Sequence, residues 1–474
     1  MFDQIVPTLI KNNNQLLKLA IIAIVLLAAG AIAPRLPVDY ALMAVGGVLV
    51  LVGVIFFLRW PALGLIALVI ASLLVPYSVN LGGAEINLPV LIIALLVGLF
   101  VFDAVALKRK VVLETPVPII AALGFGVVAI IAFGLGLFPW FLYSTHAPIT
   151  AQVAGLATFL LSVATFLLAT QLFRDIEWLE WLVGIFLFIS TLYMMIGVVP
   201  QLNQIFFKRL PNGALGSMLW TWTGALALGQ VLFNNKLKWY WRVAIFGLVI
   251  LTSYLAFVPS NSWKSGWLPM FLAMAVIVWF RFPRLRIIMA LCGVGAFLLL
   301  LPELVASDQY SYSTRVAAWQ IIFTEIVKVN PLLGLGPANY YYYTPLFPIL
   351  GYSVNFNSHN NYLDMIAQTG LVGLIMFFWF AFEIGKMAYR LVPRLPDGFP
   401  RAFVIAAIGG LAGTLASGML GDWVVPFIYN IGLRGLRASL LAWLFLGSIV
   451  AIDKIYEHKL TGEGPEHSDS LQGI

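Results

Sequence analysis

At 474 residues, with 62% hydrophobic and 10% charged residues, the chain is too apolar for a soluble domain, in which about a quarter of residues are charged. Its net charge of +7 does not mark a nucleic-acid binder, because the basic residues follow a membrane layout. The single cysteine, Cys292, lies in an apolar run and excludes both an intramolecular disulfide and a cysteine-cluster metal site.

Met1 to Asn14 is polar, and the first apolar run lacks a small-residue cleavage site, so it reads as a retained first span. Apolar runs of bilayer length recur near 16–33, 40–58, 61–77, 88–106, 116–138, 151–172, 179–199 and 214–233. They continue near 243–258, 266–281, 286–305, 363–385, 402–421 and 438–453. The expected fold is an all-α polytopic membrane protein of 12–14 transmembrane helices. Its parts would be a bundle over 1–305, an extramembrane loop over 306–362, further spans over 363–456, and a polar tail over 457–474.

Counting Lys and Arg by connection tests this layout, since cytoplasmic loops hold the excess. With the N-terminus inside, the inner segments hold 19 of the 27 basic residues and the outer ones eight. Both termini are therefore expected in the cytoplasm and the large loop outside. Basic residues on the outer face run against that bias. Lys208-Arg209, Lys264, Arg315 and Lys328 would form a cationic pocket at headgroup height, suited to a lipid phosphate or diphosphate. Headgroup snorkelling is the alternative, and it extends to Arg434 and Arg437.

The large loop holds the distinctive residues. Ser313-Thr314 reads as a helix start ahead of Val316, Trp319, Gln320, Phe323 and Val327, a stripe that stops at Asn330-Pro331. This places Arg315 in the first turn, where helix amides already attract anions. Gly334-Leu335-Gly336-Pro337 forces turns. Tyr340 to Tyr343 are either an interfacial belt or a sugar-stacking surface. Ser358-His359-Asn360-Asn361-Tyr362 then opens the next span. Asn360 or Asn361 would cap it, with Asp364 in its first turn. The helix N-terminus would keep His359 neutral and able to take a hydroxyl proton. The other reading of His359 is an interfacial histidine bonding the loop. His146 reads as structural, and His458 and His467 as surface residues. No D-x-D or paired acidic motif is present to hold Mg²⁺ or Mn²⁺; the outer acids, Asp364 and Asp422 among them, are scattered. Mid-bilayer charges of the kind a coupled transporter shows are lacking.

The ordered pattern Ser313-Thr314-Arg315 with Trp319, Asn330-Pro331-x-x-Gly334-x-Gly336-Pro337, His359-Asn360-Asn361-Tyr362-Leu363 and Gly370-x-x-Gly373 resembles the O-antigen ligase and O-antigen polymerase superfamily. The resemblance implies a GT-C-like membrane glycosyltransferase of the bacterial inner membrane, its large loop periplasmic and carrying amphipathic helices. The donor would be an undecaprenyl-diphosphate-linked glycan, the acceptor a lipid A core or another glycan, and no metal or other cofactor would be used. By position, His359 resembles the residue that activates the acceptor hydroxyl, while Arg315 and Arg209 resemble diphosphate ligands. Lys264, in Ser262-Trp263-Lys264-Ser265-Gly266, stands where many relatives carry arginine; it keeps the charge without the bidentate fork. Asn360, Asp364, Trp319 and Tyr342 would support the site. Direct displacement would invert the anomeric carbon. The polymerase, a protein O-oligosaccharyltransferase and, from another class, a transporter are the competing readings.

Overall fold

A computed structural model describes residues 53–54, 56–81, 84–103, 105, 116–206, 210–211, 214–258, 263–306 and 309–461. Spans 16–33 and, for the most part, 40–58 fall outside these residues, as do Arg209 and His467. The chain divides into two compact units, Met1–Leu63 and Gly64–Ile474. In the described part of the first, the Arg59 guanidinium lies 5.0 Å over the Trp60 ring.

The helices of membrane type, in chain order, are α1 (Pro61–Leu74), α2 (Leu88–Phe102), α3 (Val117–Leu135), α4 (Ile149–Leu172) and α5 (Ile176–Val198). They continue as α6 (Ser217–Phe233), α7 (Trp239–Phe257), α8 (Lys264–Arg281) and α9 (Arg286–Ala306). After the loop helix α10 (Gln309–Ile321) come α11 (Asn361–Leu391), α12 (Phe399–Leu420) and α13 (Leu436–Thr461). The protein is all-α and multi-pass: α3, α4, α5, α7, α11, α12 and α13 are long and apolar enough to cross a membrane. Every span expected beyond residue 60 falls on a helix, with α11 and α13 running past the expected ends of 385 and 453 to Leu391 and Thr461. Among the described residues the strands form one two-stranded hairpin, β1 (Ser78–Leu81) with β2 (Ala84–Asn87), paired from Leu81↔Ala84 to Ser78↔Asn87.

The most enclosed element is the last. The apolar window of α13 is wholly buried, which suits a helix apolar on every side. It packs along α4, while α6, α8 and α12 form a second group and α11 lies on α3. Trp443 of α13 stacks on Phe380 of α11 with ring centres 5.1 Å apart. Its indole nitrogen reaches the Val424 carbonyl at 3.0 Å, joining the core to the segment between α12 and α13.

One end of the molecule gathers the loops that matter. Asn339 donates to Gly136 O at 2.9 Å and accepts the Ala147 amide at 2.9 Å. Asn87 donates to Leu433 O at 2.7 Å, and Trp263 meets Trp423 edge-on at 5.7 Å. The opposite end holds Arg242 on Asn234 O, Lys454 against Gln171, and the Arg401–Asp397 pair.

Arg437 corrects the snorkelling alternative. It is buried, and its guanidinium donates to Ala71 O at 3.1 Å, Val75 O at 2.6 Å and Tyr77 O at 3.2 Å, capping the end of α1.

Candidate active site

The loop helix starts earlier than its sequence signal. It opens by Gln309, so Ser313 and Thr314 lie inside it and Arg315 is in its second turn, away from the helix-end amides. The register also changes. A π-helical turn over Ile322–Ile326 and a 3₁₀ turn over Val327–Val329 close the element at Asn330. The buried face runs through Ala318, Ile322, Ile326 and Val327 and not through the expected stripe, since Val316 and Phe323 stay exposed. Trp319 keeps its expected place: its indole nitrogen donates to Ser358 O at 2.7 Å, tying α10 to the turn before α11.

The two glycine motifs form one joint. Helix α11 breaks at Gly370, whose φ of 68° and ψ of −173° are non-helical. The break releases the carbonyls of Ala367 and Gln368, which accept the amides of Leu335 and Gly336 at 2.9 and 3.0 Å. It also frees the amides of Leu371 and Val372, which donate to Pro331 O and Leu332 O at 2.8 and 3.1 Å. Two carbonyls and two amides lost from the helix are thereby paired with the loop, as irregular backbone in a membrane protein requires. A Cβ at Gly370 would stand 2.1 Å from Leu332 O, and one at Gly334 2.5 Å from Gln368 C, so both positions exclude a side chain.

This joint sets the turn that carries the histidine. Asn360 is the N-cap of α11, its side chain accepting the Tyr362 and Leu363 amides at 3.0 and 3.4 Å. Asn361 faces elsewhere: its carboxamide accepts Val424 N at 2.7 Å and donates to Val425 O at 2.7 Å, clamping the segment between α12 and α13. Asp364 is buried. Its Oδ1 takes the Tyr340 hydroxyl at 2.5 Å and the Ser358 hydroxyl at 2.6 Å. Ser358 Oγ in turn accepts the Asn360 amide at 2.9 Å. Asp364 therefore holds the turn from within.

The tyrosine run is neither simply a belt nor a free stacking surface. Tyr340 and Tyr343 are fully buried, and Tyr340 stacks on Phe427 at 4.9 Å. Tyr341 and Tyr342 are half-buried and pack on Tyr429 at 4.5 and 5.5 Å. Burial first, and then the carboxylates of Asp364 and Asp422, push the Tyr340 hydroxyl well above its ordinary range. These two acids, scattered in sequence, thus flank one ring.

His359 is half-buried with φ of 49°, a left-handed conformation that projects its ring from the turn. Its Nδ1 lies 3.3 Å from the amide nitrogen of Asn430, which also donates to Asp422 Oδ1 at 2.7 Å. The Phe427 amide occupies Asp422 Oδ2 at 3.0 Å. The Asp422 carboxylate, which only accepts when ionised, assigns the orientation of the Asn430 amide, so the second amide hydrogen points at His359 Nδ1. The imidazole then carries its hydrogen on Nε2, and Nδ1 is the basic nitrogen. Burial, with the Arg315 charge second, holds His359 below the usual imidazole range. The neutral ring expected from sequence is thus favoured, with burial in place of the helix terminus as the leading cause. Burial pushes the Asp422 carboxyl up.

Arg315, Trp319, His359, Asn360 and Asp364 are therefore brought together. Lys264 begins α8 beside Trp263, whose contact with Trp423 sets it against the segment that carries Asp422. Arg209 lies outside the described residues. Lys328 leaves the cationic group, since it pairs with Glu325 one turn away on an exposed face. Sequence reasoning missed Asn430 and did not connect Asp422 to the histidine, as no local motif ties either to a residue more than 60 positions earlier.

Residues 212–378 match the family model described as O-Antigen ligase. The chain is similar to that family over this stretch, about a third of its length. The match takes in α6 to α10, the loop and the first half of α11, and ends before Asp422 and Asn430. No curated protein matches the chain. The matched stretch therefore supplies Arg315, Trp319 and His359, and the part of the chain beyond it supplies the carboxylate and amide behind the histidine.

Proposed function

We propose that the protein is a periplasmic-face glycosyltransferase that moves a glycan from undecaprenyl diphosphate to a hydroxyl of a lipid A core, as an O-antigen ligase. What supports this is the bond from Trp319, one helical turn beyond Arg315, to Ser358 O at 2.7 Å beside His359, inside the stretch that matches the O-Antigen ligase model. In this reading His359 Nδ1 takes the proton of the acceptor hydroxyl. The acceptor oxygen bonds to the anomeric carbon from the face opposite the leaving group, inverting it. The bond from that carbon to the diphosphate oxygen breaks, and its electron pair leaves with the oxygen. Arg315, assisted by Lys264 and Arg209, meets the charge that develops there. Cationic side chains take the part a divalent metal would otherwise play.

The donor half of this reaction serves a polymerase equally well. Purified protein given lipid-linked oligosaccharide together with a lipid A core acceptor or a second glycan tests the assignment. Glycan on the lipid core supports the ligase. Elongated lipid-linked glycan replaces it with the polymerase, and no covalent product overturns the transferase.

A further inference from the structure

A cavity of about 360 Å³ opens between the first turn of α4 and the segment 428–434, within the roughly 300–1,000 Å³ range of small-ligand sites. Its wall includes Thr150, Ala151, Tyr429, Asn430 and Arg434. Asn430 is the residue that touches His359 Nδ1. That contact, at 3.3 Å, is longer than the 2.7 Å bond Asn430 makes to Asp422, so a hydroxyl can replace it at low cost. Asn430 therefore stands between the cavity and the basic nitrogen of the histidine.

The chemistry of the wall narrows the ligand. Tyr429 is stacked on Tyr341 at 4.5 Å, a braced aromatic surface of the kind on which sugar rings pack. Thr150 and Asn430 offer hydrogen-bonding groups. Arg434 and the positive end of the 24-residue α4 favour negative charge. Arg315 stands on α10, a different element, one turn before the Trp319 that bonds Ser358 O beside the histidine. The two substrates thus meet the imidazole from separate parts of the fold.

Resting on the transferase reading, we propose that this cavity is the acceptor subsite and takes a sugar carrying an anionic group, its hydroxyl delivered past Asn430 to His359 Nδ1. The test uses the purified full chain in nanodiscs. Three probes are compared: a short oligosaccharide with one phosphate, the same with a hexuronate carboxylate, and the neutral form. The phosphate and carboxylate probes are expected to bind more tightly than the neutral one, and whichever binds better identifies the source of the charge. Arg434→Ala is expected to weaken the charged probes at least about tenfold, the loss of one charge-assisted contact. Ala151→Trp, which fills the cavity, weakens all three. Both variants raise the acceptor KM and leave the donor KM near wild type, a split that general misfolding does not produce. Unchanged binding in both variants, or no binding to the wild type, overturns the subsite. Binding that follows this pattern without any transfer product keeps the cavity as an anionic-sugar site but overturns its role as an acceptor subsite, together with the transferase reading.

Discussion

A histidine at φ 49° is strained, by about 1–3 kcal/mol for a non-glycine residue in this region. The strain persists because Ser358, Asn360, Trp319 and Asp364 fix the backbone on both sides. Such a device points the ring in one direction, which is what a general base needs. His359→Ala is expected to slow transfer by about 10²–10⁴-fold, the range for a positioned base. His359→Gln, which bonds a hydroxyl but takes no proton, is expected to fall as far; wild-type turnover in that variant would return the histidine to a loop-bonding role. The sign of the pH effect follows from the lowered pKa. The ring is neutral above that value and inactive as a base below it, so the rate declines on the acid side of ordinary histidine titration. Arg315→Ala removes the nearby charge and should move that acid limb to higher pH. It should also raise the barrier by leaving diphosphate charge unmet, at about 1.5–3 kcal/mol per charged contact. A rate–pH profile with the limb unmoved would separate Arg315 from the imidazole.

At the level of elements, the loop is held by exchange of backbone bonds with the broken α11, and glycine makes the break possible. Gly370→Ala must place a Cβ 2.1 Å from Leu332 O in a left-handed backbone. The expected loss is about 2–5 kcal/mol, combining the conformational term with overpacking. Gly134→Ala, where a Cβ meets nothing within 4 Å, is the matched control and should hold or gain stability. Thermal unfolding in detergent that shows both variants alike would remove the joint from the argument. Arg437→Met tests a second junction. Its three carbonyl partners at the end of α1 lose their donor, so a lower unfolding midpoint is expected with little change in donor affinity.

These elements also show what was legible from sequence. The spans were, because apolar length is a local signal. So was the Asn360 cap, which needs only its own helix start. The start of α10 was misplaced because Ser313-Thr314 resembles a cap yet follows an already helical turn. The buried face of α10 was misread because small Ala318 and apolar Val316 carry similar periodic signals, and tertiary packing chose the first. The Asp422–Asn430–His359 connection depends on Asn361 clamping a segment 63 residues away, a purely tertiary fact.

For the molecule as a whole, the site end and its opposite differ in charge. The segments joined at the site end hold Lys264, Arg315, Lys328, Arg434 and Arg437 among the described residues. The other end holds Arg174, Lys236, Lys238, Arg242, Arg281, Arg284, Arg286, Lys386, Arg390, Arg394, Arg401 and Lys454. On the positive-inside bias we propose that the site end faces the periplasm and the opposite end the cytoplasm. A lipid-linked diphosphate presented in the outer leaflet would meet Arg315 and His359 there. Cysteine labelling decides it, with Cys292→Ser removing the exposed native thiol. Tyr352→Cys places a thiol on an exposed position of the loop, and Asp397→Cys one on the exposed turn before α12. An impermeant maleimide added to intact spheroplasts is expected to label position 352 and to reach 397 only after lysis. The opposite pattern would put the histidine in the cytoplasm, where no outer-leaflet donor is presented, and would remove both the transferase reading and the acceptor subsite that rests on it.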